Sequence, residues 1–239
     1  MSRYDRQIPL LGESGQRKLS ESLVAIVGLG GIGSPLALYL GGAGVNLRLV
    51  DGDLVSLNNL HRQILYGEDD IGLPKAFVAE REVRRRNRDI EVEGIPEPLT
   101  EENVNRVLSG VDLILDATDN FTTRYLINEF SVSHRIPFIY SAISGFYFAI
   151  TFILPGETPC LRCIFPNVQD RGPVPVLGMT PAQVASIAAT EAVKYLAGME
   201  PSLKGKLLMG DLRTMEYTEV KVERDPECPV CGKLFTEAP

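Results

Sequence analysis

The chain has few of the residues that most often carry covalent or acid–base chemistry, with two histidines and four cysteines among 239 residues. His61 and His134 have no partner at a spacing that suggests a general base or a metal site, and neither is assigned a role. Long hydrophobic runs are missing as well. The longest, residues 143–154, is broken by Ser144 and Gly145 and is too short to span a bilayer. The opening residues Met-Ser-Arg-Tyr-Asp-Arg-Gln contain no apolar signal-peptide segment, so a soluble, cytoplasmic protein is expected. Excess positive charge is lacking too: a net charge of −7 gives no broad footprint for nucleic acid. The local run of Arg81, Arg84, Arg85, Arg86 and Arg88 reads as a solvated helix end, its cations complementing the helix C-terminus. No internal repeat, low-complexity tract or long linker divides the chain.

All four cysteines fall in two Cys-x-x-Cys pairs, Cys160/Cys163 and Cys228/Cys231. Two such pairs separated by a long insertion suit tetrahedral Zn²⁺ in a closed structural site, and a reducing compartment disfavours disulfides. A zinc clip that takes all four thiols leaves none for covalent catalysis. It would also pin the tail to the loop that follows the 146–154 segment.

With 44% hydrophobic and 23% charged residues, the chain can bury one substantial core. After a polar lead containing Gly12 and Gly15, residues 23–27 read as a strand buried on both faces. A helix over 31–43 and a strand over 47–50 complete a βαβ unit. A polar loop spans 52–72, and Pro74 is placed to open a helix running through Arg86. Residues 111–116 read as another buried strand, followed by a helix over 122–134 and a strand over 137–140. Beyond residue 144 the pattern turns aromatic and β-branched at 146–154. A helix follows at 181–196 with Thr180 as its N-cap, and residues 206–209 and 216–222 read as antiparallel strands. The expected fold is α/β and Rossmann-like. A largely parallel sheet in the first half is continued by antiparallel strands in the second, within a single domain over 1–239.

The glycine turn Gly28-Leu-Gly30-Gly31-Ile-Gly33 lies between the first strand and helix, where backbone amides can approach a phosphate. Asp51, at the end of the next strand, is the acid expected on a ribose hydroxyl. The turn does not separate NAD from ATP. The following loop, with Asp53, Asn58, Asn59, Arg62, Gln63 and then Gly72-x-Pro74-Lys75, brings cations and amides near the turn, which suits a polyphosphate better than a nicotinamide ring.

Arg3-Tyr-Asp-Arg6-Gln7, the glycine turn, Asp51-x-Asp53, Asn59-Leu-x-Arg62-Gln63, Gly72-x-Pro74-Lys75, Asp116-x-Thr-Asp119-Asn120 and both cysteine pairs occur in order. In this order and spacing the chain closely resembles the ThiF/MoeB/HesA family, prokaryotic relatives of ubiquitin-activating enzymes, over nearly its whole length. The resemblance implies an ATP-dependent adenylyltransferase. Such enzymes activate the C-terminal Gly-Gly carboxylate of a small β-grasp, ubiquitin-like or sulfur-carrier protein as an acyl adenylate and release pyrophosphate. It further implies a nucleotide site of Gly28, Gly30, Gly31, Gly33, Asp51, Asp53, Asn59, Arg62, Gln63, Lys75, Asp119 and Asn120. In that pattern Asp51 binds ribose, Asn59, Arg62, Gln63 and Lys75 surround the triphosphate, and Asp119 holds Mg²⁺. Arg6 reaches the ATP phosphates of the other protomer in a homodimer. Arg6, Arg62, Lys75 and Asp119 are the residues expected to carry catalysis.

The resemblance divides the chain into an N-terminal arm (1–22), a nucleotide-binding half (23–143) and a carrier-binding half with the zinc clip (144–239). Many relatives carry a further cysteine after the first pair, and residues 165–184 contain none. Action that stops at the acyl adenylate, as in MoeB, with a separate sulfur donor, is therefore expected. An NAD-dependent oxidoreductase would share the glycine turn and Asp51 but leave Arg62, Lys75 and Asp119 unexplained. A tRNA-modifying relative of the same family accords less well with the acidic chain and the clip.

Overall fold

The computed structural model describes residues 2–170, 172 and 174–235. A single eight-stranded sheet has the order β3-β2-β1-β4-β5-β6-β7-β8. The strands are β1 (Leu23–Val27), β2 (Asn46–Val50), β3 (Val92–Ile95), β4 (Leu113–Asp116), β5 (Phe138–Ser144), β6 (Tyr147–Ile153), β7 (Lys206–Asp211) and β8 (Glu216–Lys221). β1 pairs in parallel with β2 and β4, β2 with β3, and β4 with β5. From β5 onward the pairing is antiparallel. This is the mixed sheet expected from the sequence, and the second half continues the first half's sheet.

The apolar run at β1 is continuous because both faces of the sheet are covered. Val24 and Ile26 face one buried cluster, with Leu36 and Leu40 of α2 (Gly33–Ala43), Val78 and Val83 of α3 (Lys75–Arg86), and Val184, Ala188 and Ala192 of α7 (Met179–Leu196). Ala25 and Val27 face the other, with Val107 and Leu108 of α4 (Val104–Leu108) and Ile127 and Phe130 of α5 (Phe121–His134). The sheet is thus the middle of three layers. The basic run on and after α3 is largely paired: Arg81 with Asp70 and Glu82, Arg84 with Glu80, and Arg85 with Glu82.

Several elements depart from the sequence expectation. The polar lead forms α1 (Ile8–Glu21), kinked at Gly12, where φ is +74°. Its glycines and polar residues give it little intrinsic propensity, and it is held by burying Gly15, Gln16 and Leu19, with Gly15 against Ala197 beyond α7. β3 and α4 are four and five residues long, too short to show a period. α2 begins at Gly33 rather than residue 31. α7 begins at Met179, so Thr180 is not its N-cap; its hydroxyl instead donates 2.9 Å to the Gly145 carbonyl in the turn between β5 and β6. Thr180→Val should therefore lower stability by about 1 kcal/mol, the usual net worth of a buried hydrogen bond. In urea unfolding the midpoint should fall with the slope unchanged.

Candidate functional site

In the strand order 3-2-1-4-5 the connections reverse direction between β1 and β4, and the crevice beyond the carboxyl ends of such strands is where open α/β sheets take ligands. The loops after β1, β2 and β4 all open there. At the bottom of the crevice the Gly28 backbone has φ +88°, and a methyl on it would stand 2.7 Å from the Ala117 carbonyl oxygen. A side chain at Gly33 would collide with the Gly28 carbonyl. Both positions therefore require glycine, one for conformation and one for close approach.

Three side chains fix the Leu29 peptide inside the turn. Asp51 Oδ2 accepts from Leu29 N at 2.7 Å, while Tyr66 Oη and Ser34 Oγ donate to the Leu29 carbonyl at 2.8 and 3.1 Å. Asp51 Oδ1 accepts from Asp53 N at 2.8 Å. Burial pushes the Asp51 carboxyl above the ordinary carboxylate range, opposed first by the Lys75 charge and then by these two amides. Tyr66 and Ser34 lacked a sequence signal, since neither belongs to a motif and their partner is a backbone carbonyl.

Lys75 opens α3 directly after Pro74. A cation at a helix N-terminus opposes the helix dipole, and this one is 4% exposed. It is held by Asp53, whose Oδ2 lies 2.7 Å from Nζ. Asn59, also buried, lies in the short 3-10 turn Leu57–Asn59 and accepts from Ser56 N. Arg62 donates to the Asn58 carbonyl at 2.9 Å. Its side chain borders Gly31, and the Gln63 amide borders Gly30. Gln63 is 3% exposed, and its Oε1 has no hydrogen bond among the described residues. The polar loop thus brings Arg62 and Gln63 onto the glycine turn and Lys75 beside Asp51 and Asp53.

Asp119 and Asn120 follow β4 at the same end. Asp119 is exposed, and Asn120 caps α5 by accepting from Thr123 N at 2.8 Å. Asp170, unmarked in the sequence, lies across the first turn of α5: its carboxylate accepts from Phe121 N and from Thr122 Oγ1. Arg6 lies apart. Its arm is fastened at the far end of α2, where Gln7 Nε2 donates to Gln16 Oε1 and the Ala43 carbonyl, and Asn87 donates to Tyr4 Oη. The 11 residues of α2 put the Gln7 anchor, next in sequence to Arg6, about 16 Å of helix length from the glycine turn.

The four cysteines converge although 64 residues of chain separate the pairs. All four Sγ atoms lie within 4.8 Å of one another, with Cys160 to Cys228 at 3.6 Å and Cys163 to Cys231 at 3.5 Å. A tetrahedron with Zn–S of about 2.3 Å has edges of about 3.8 Å, whereas a disulfide needs about 2.05 Å. The donor set fits Zn²⁺. Hydrogen bonding with the Cys231 thiol holds the Cys160 thiol below the ordinary cysteine range against the opposing effect of burial, and the Cys163 amide adds to the lowering. Cys160 opens α6 (Leu161–Ile164), and Asn128 of α5 holds that start by accepting from Leu161 N at 2.8 Å. A cavity of about 690 Å³ lies beside this clip between Glu129, Arg162 and Lys233, away from the glycine turn.

The purified protein should carry one zinc per chain by metal analysis. Chelation should speed amide exchange at 160–163 and 225–232 well before 28–33. Equal loosening of both regions would argue against a locally acting clip.

The ThiF family pattern matches residues 4–230. The sulfur carrier protein adenylyltransferase of Thermus thermophilus is 41% identical over 251 residues, covering 99% of this chain and 93% of the relative. The SAMP-activating enzyme E1 of Haloferax volcanii is 40% identical over 242 residues, covering 98% and 89%. Among solved structures, E. coli MccB with AMPCPP and MccA aligns with TM-score 0.88 and 25% identity, covering 97% of this chain and 74% of that one. The family match replaces the oxidoreductase alternative: the chain is an adenylyltransferase of the E1-like type and belongs to the ThiF family.

Proposed function

We propose that the protein uses ATP to adenylate the C-terminal Gly-Gly carboxylate of a ubiquitin-like or sulfur-carrier protein, giving a carrier acyl adenylate and pyrophosphate. The observation that carries this reading is the placing of Lys75, Arg62, Gln63 and the Asp119 loop around one glycine turn at the β1/β4 crevice. Two relatives whose names specify sulfur-carrier or SAMP activation, each about 40% identical over nearly the whole chain, support the carrier class.

In this reaction a carboxylate oxygen attacks the α-phosphorus, the bond from that phosphorus to the bridging oxygen of the β-phosphate breaks, and the electron pair leaves with pyrophosphate. Negative charge shifts onto the leaving group, so positioning and electrostatic stabilisation supply most of the catalysis. Glycine-turn amides at Gly28, Gly30, Gly31 and Gly33 cradle phosphate oxygens, and Asp51 takes the ribose hydroxyls. Asn59, Arg62, Gln63 and Lys75 line the triphosphate. Nucleotide entry would release Lys75 from Asp53, exchanging a carboxylate for a phosphate oxygen as its partner. Asp119, with Asn120 beside it, would hold Mg²⁺, which when bound neutralises charge on the departing pyrophosphate. Arg6, beside an anchor a helix length from its own turn, acts on the other protomer's ATP in a homodimer.

With every cysteine in the zinc clip, no thiol of this chain accepts the activated carrier. The product is handed on as the adenylate, and a separate donor supplies sulfur. A reducing, cytoplasmic setting accords with four unpaired thiols, and no helix among the described residues is long and apolar enough to cross a membrane.

Exchange of labelled pyrophosphate into ATP should require both the protein and a β-grasp carrier with an intact Gly-Gly tail. A carrier lacking the final glycine should support none. Exchange indifferent to the tail would remove the carrier carboxylate from the reaction. Lys75→Ala should lower exchange roughly 100-fold or more, the scale for losing one preorganised charge-stabilising group. Arg6→Ala should abolish exchange while leaving dimer mass unchanged in light scattering. Mixing the Arg6→Ala and Lys75→Ala proteins should restore part of the activity, because the mixed dimer keeps one complete site.

A further inference from the structure

Directly beneath the Asp116–Asn120 loop lies a buried charge pair to which the proposed mechanism gives no part. Asp116 is fully buried and Arg124, on the first turns of α5, is 6% exposed. Their approach is imperfect: Arg124 Nε lies 3.8 Å from Asp116 Oδ2, and neither atom has a hydrogen bond among the described residues. Buried pairs of this quality are poor stabilisers, since desolvating both ions offsets their attraction and apolar replacements are often neutral.

The bonds the pair does make all lead to the loop. Arg124 Nη2 donates 2.6 Å to the Thr118 carbonyl. Asp116 Oδ1 accepts from Thr118 N at 3.0 Å and Thr118 Oγ1 at 2.7 Å. Thr118 is therefore held at its amide, hydroxyl and carbonyl by two side chains of opposite charge. The guanidinium is itself held in place, 5.0 Å from the Phe121 ring centroid and 5.2 Å from that of Tyr140. On the opposite side the loop is pressed against the glycine turn, because a methyl on Gly28 would stand 3.2 Å from Thr118 N. The residue carried by this clamped peptide is Asp119.

We infer that Arg124 is a positioning residue: through the Thr118 carbonyl and Asp116 it fixes the peptide before Asp119, setting the height at which that carboxylate faces the nucleotide above Gly28. The inference rests on the adenylation reading for Asp119 and touches neither ATP nor carrier directly. Arginine suits the task better than lysine, since its planar fork can serve a carbonyl and a carboxylate together.

The test compares wild type, Arg124→Gln, Arg124→Lys and Thr118→Val in pyrophosphate exchange as a function of Mg²⁺, with amide exchange of the same proteins. Arg124→Gln should raise half-saturating Mg²⁺ and lower kcat by roughly 10- to 100-fold, the range for residues that orient a metal ligand. The carrier KM should change little, and Arg124→Lys should recover part of the loss. Amides 117–120 should exchange faster while β4 and α5 keep their protection. Thr118→Val, which loses only the hydroxyl bond to Asp116, should show a weaker form of the same pattern and serves if Arg124→Gln does not fold. Wild-type Mg²⁺ dependence together with wild-type protection at 117–120 in Arg124→Gln would overturn the inference. So would a loss of kcat with unchanged Mg²⁺ dependence and a general loss of protection, which marks a purely structural role. If wild type itself shows no exchange with any carrier, the adenylation reading falls, and protection at 117–120 still decides whether Arg124 holds the loop.

Discussion

The site depends on one close approach of two backbones, Gly28 to Ala117 and Thr118, at the point where the sheet's connections reverse. Parallel pairing of β1 with both β2 and β4 sends three loops out of the same edge of the sheet. The loop after β1 supplies amides, the loop after β2 supplies Asp51 and leads to the cations, and the loop after β4 supplies Asp119. A side chain at Gly28 would push the first and third apart. Asp51, Tyr66 and Ser34 then lock the Leu29 peptide, so the amides of the turn are aimed before any ligand arrives.

Charge is arranged around this edge with the same economy. Lys75 is buried at a helix end that disfavours a cation, and Asp53 supplies the compensation. Because Asp53 is largely exposed, its carboxylate is already hydrated on the side away from Lys75. Asp170 reaches the first turn of α5 from a segment that follows the first cysteine pair, so the four-cysteine cluster and the crevice share one helix: Asn128 meets α6 on one turn, and Asp170 meets the start. The convergence of the four thiols itself links residues 228–231 to the helix behind Asp119.

Most of the fold was legible because its central strands are apolar on both faces and its long helices border glycine, proline or charge signals. α1 was not legible, since a kinked, glycine-containing polar helix is stabilised by contact with the end of α7 rather than by its own propensity. β3 and α4 were too short for periodicity. Thr180 misled for a related reason. A threonine near a helix start is a cap by local chemistry, yet its hydroxyl found the Gly145 carbonyl 35 residues away in sequence. The candidate site was legible where residues sit in ordered motifs and silent where a lone side chain serves a distant backbone group, as with Tyr66, Arg124 and Asp170.

What the sequence by itself determined is the inventory: a glycine turn between strand and helix, an acid after the next strand, cations in the loop beyond, and four thiols in two pairs. These follow from local rules, because phosphate approach, ribose binding and metal ligation each demand particular residue types at short spacing. Only the tertiary structure decided which of them meet. It joined Lys75 to Asp53, set Arg62 and Gln63 over the turn, brought Cys160 and Cys163 to Cys228 and Cys231, and placed the Gln7 anchor, next to Arg6, a helix length from the crevice. Those placements depend on strand order and on helices packing across the sheet, which couple residues far apart in the chain and leave no trace in any local window.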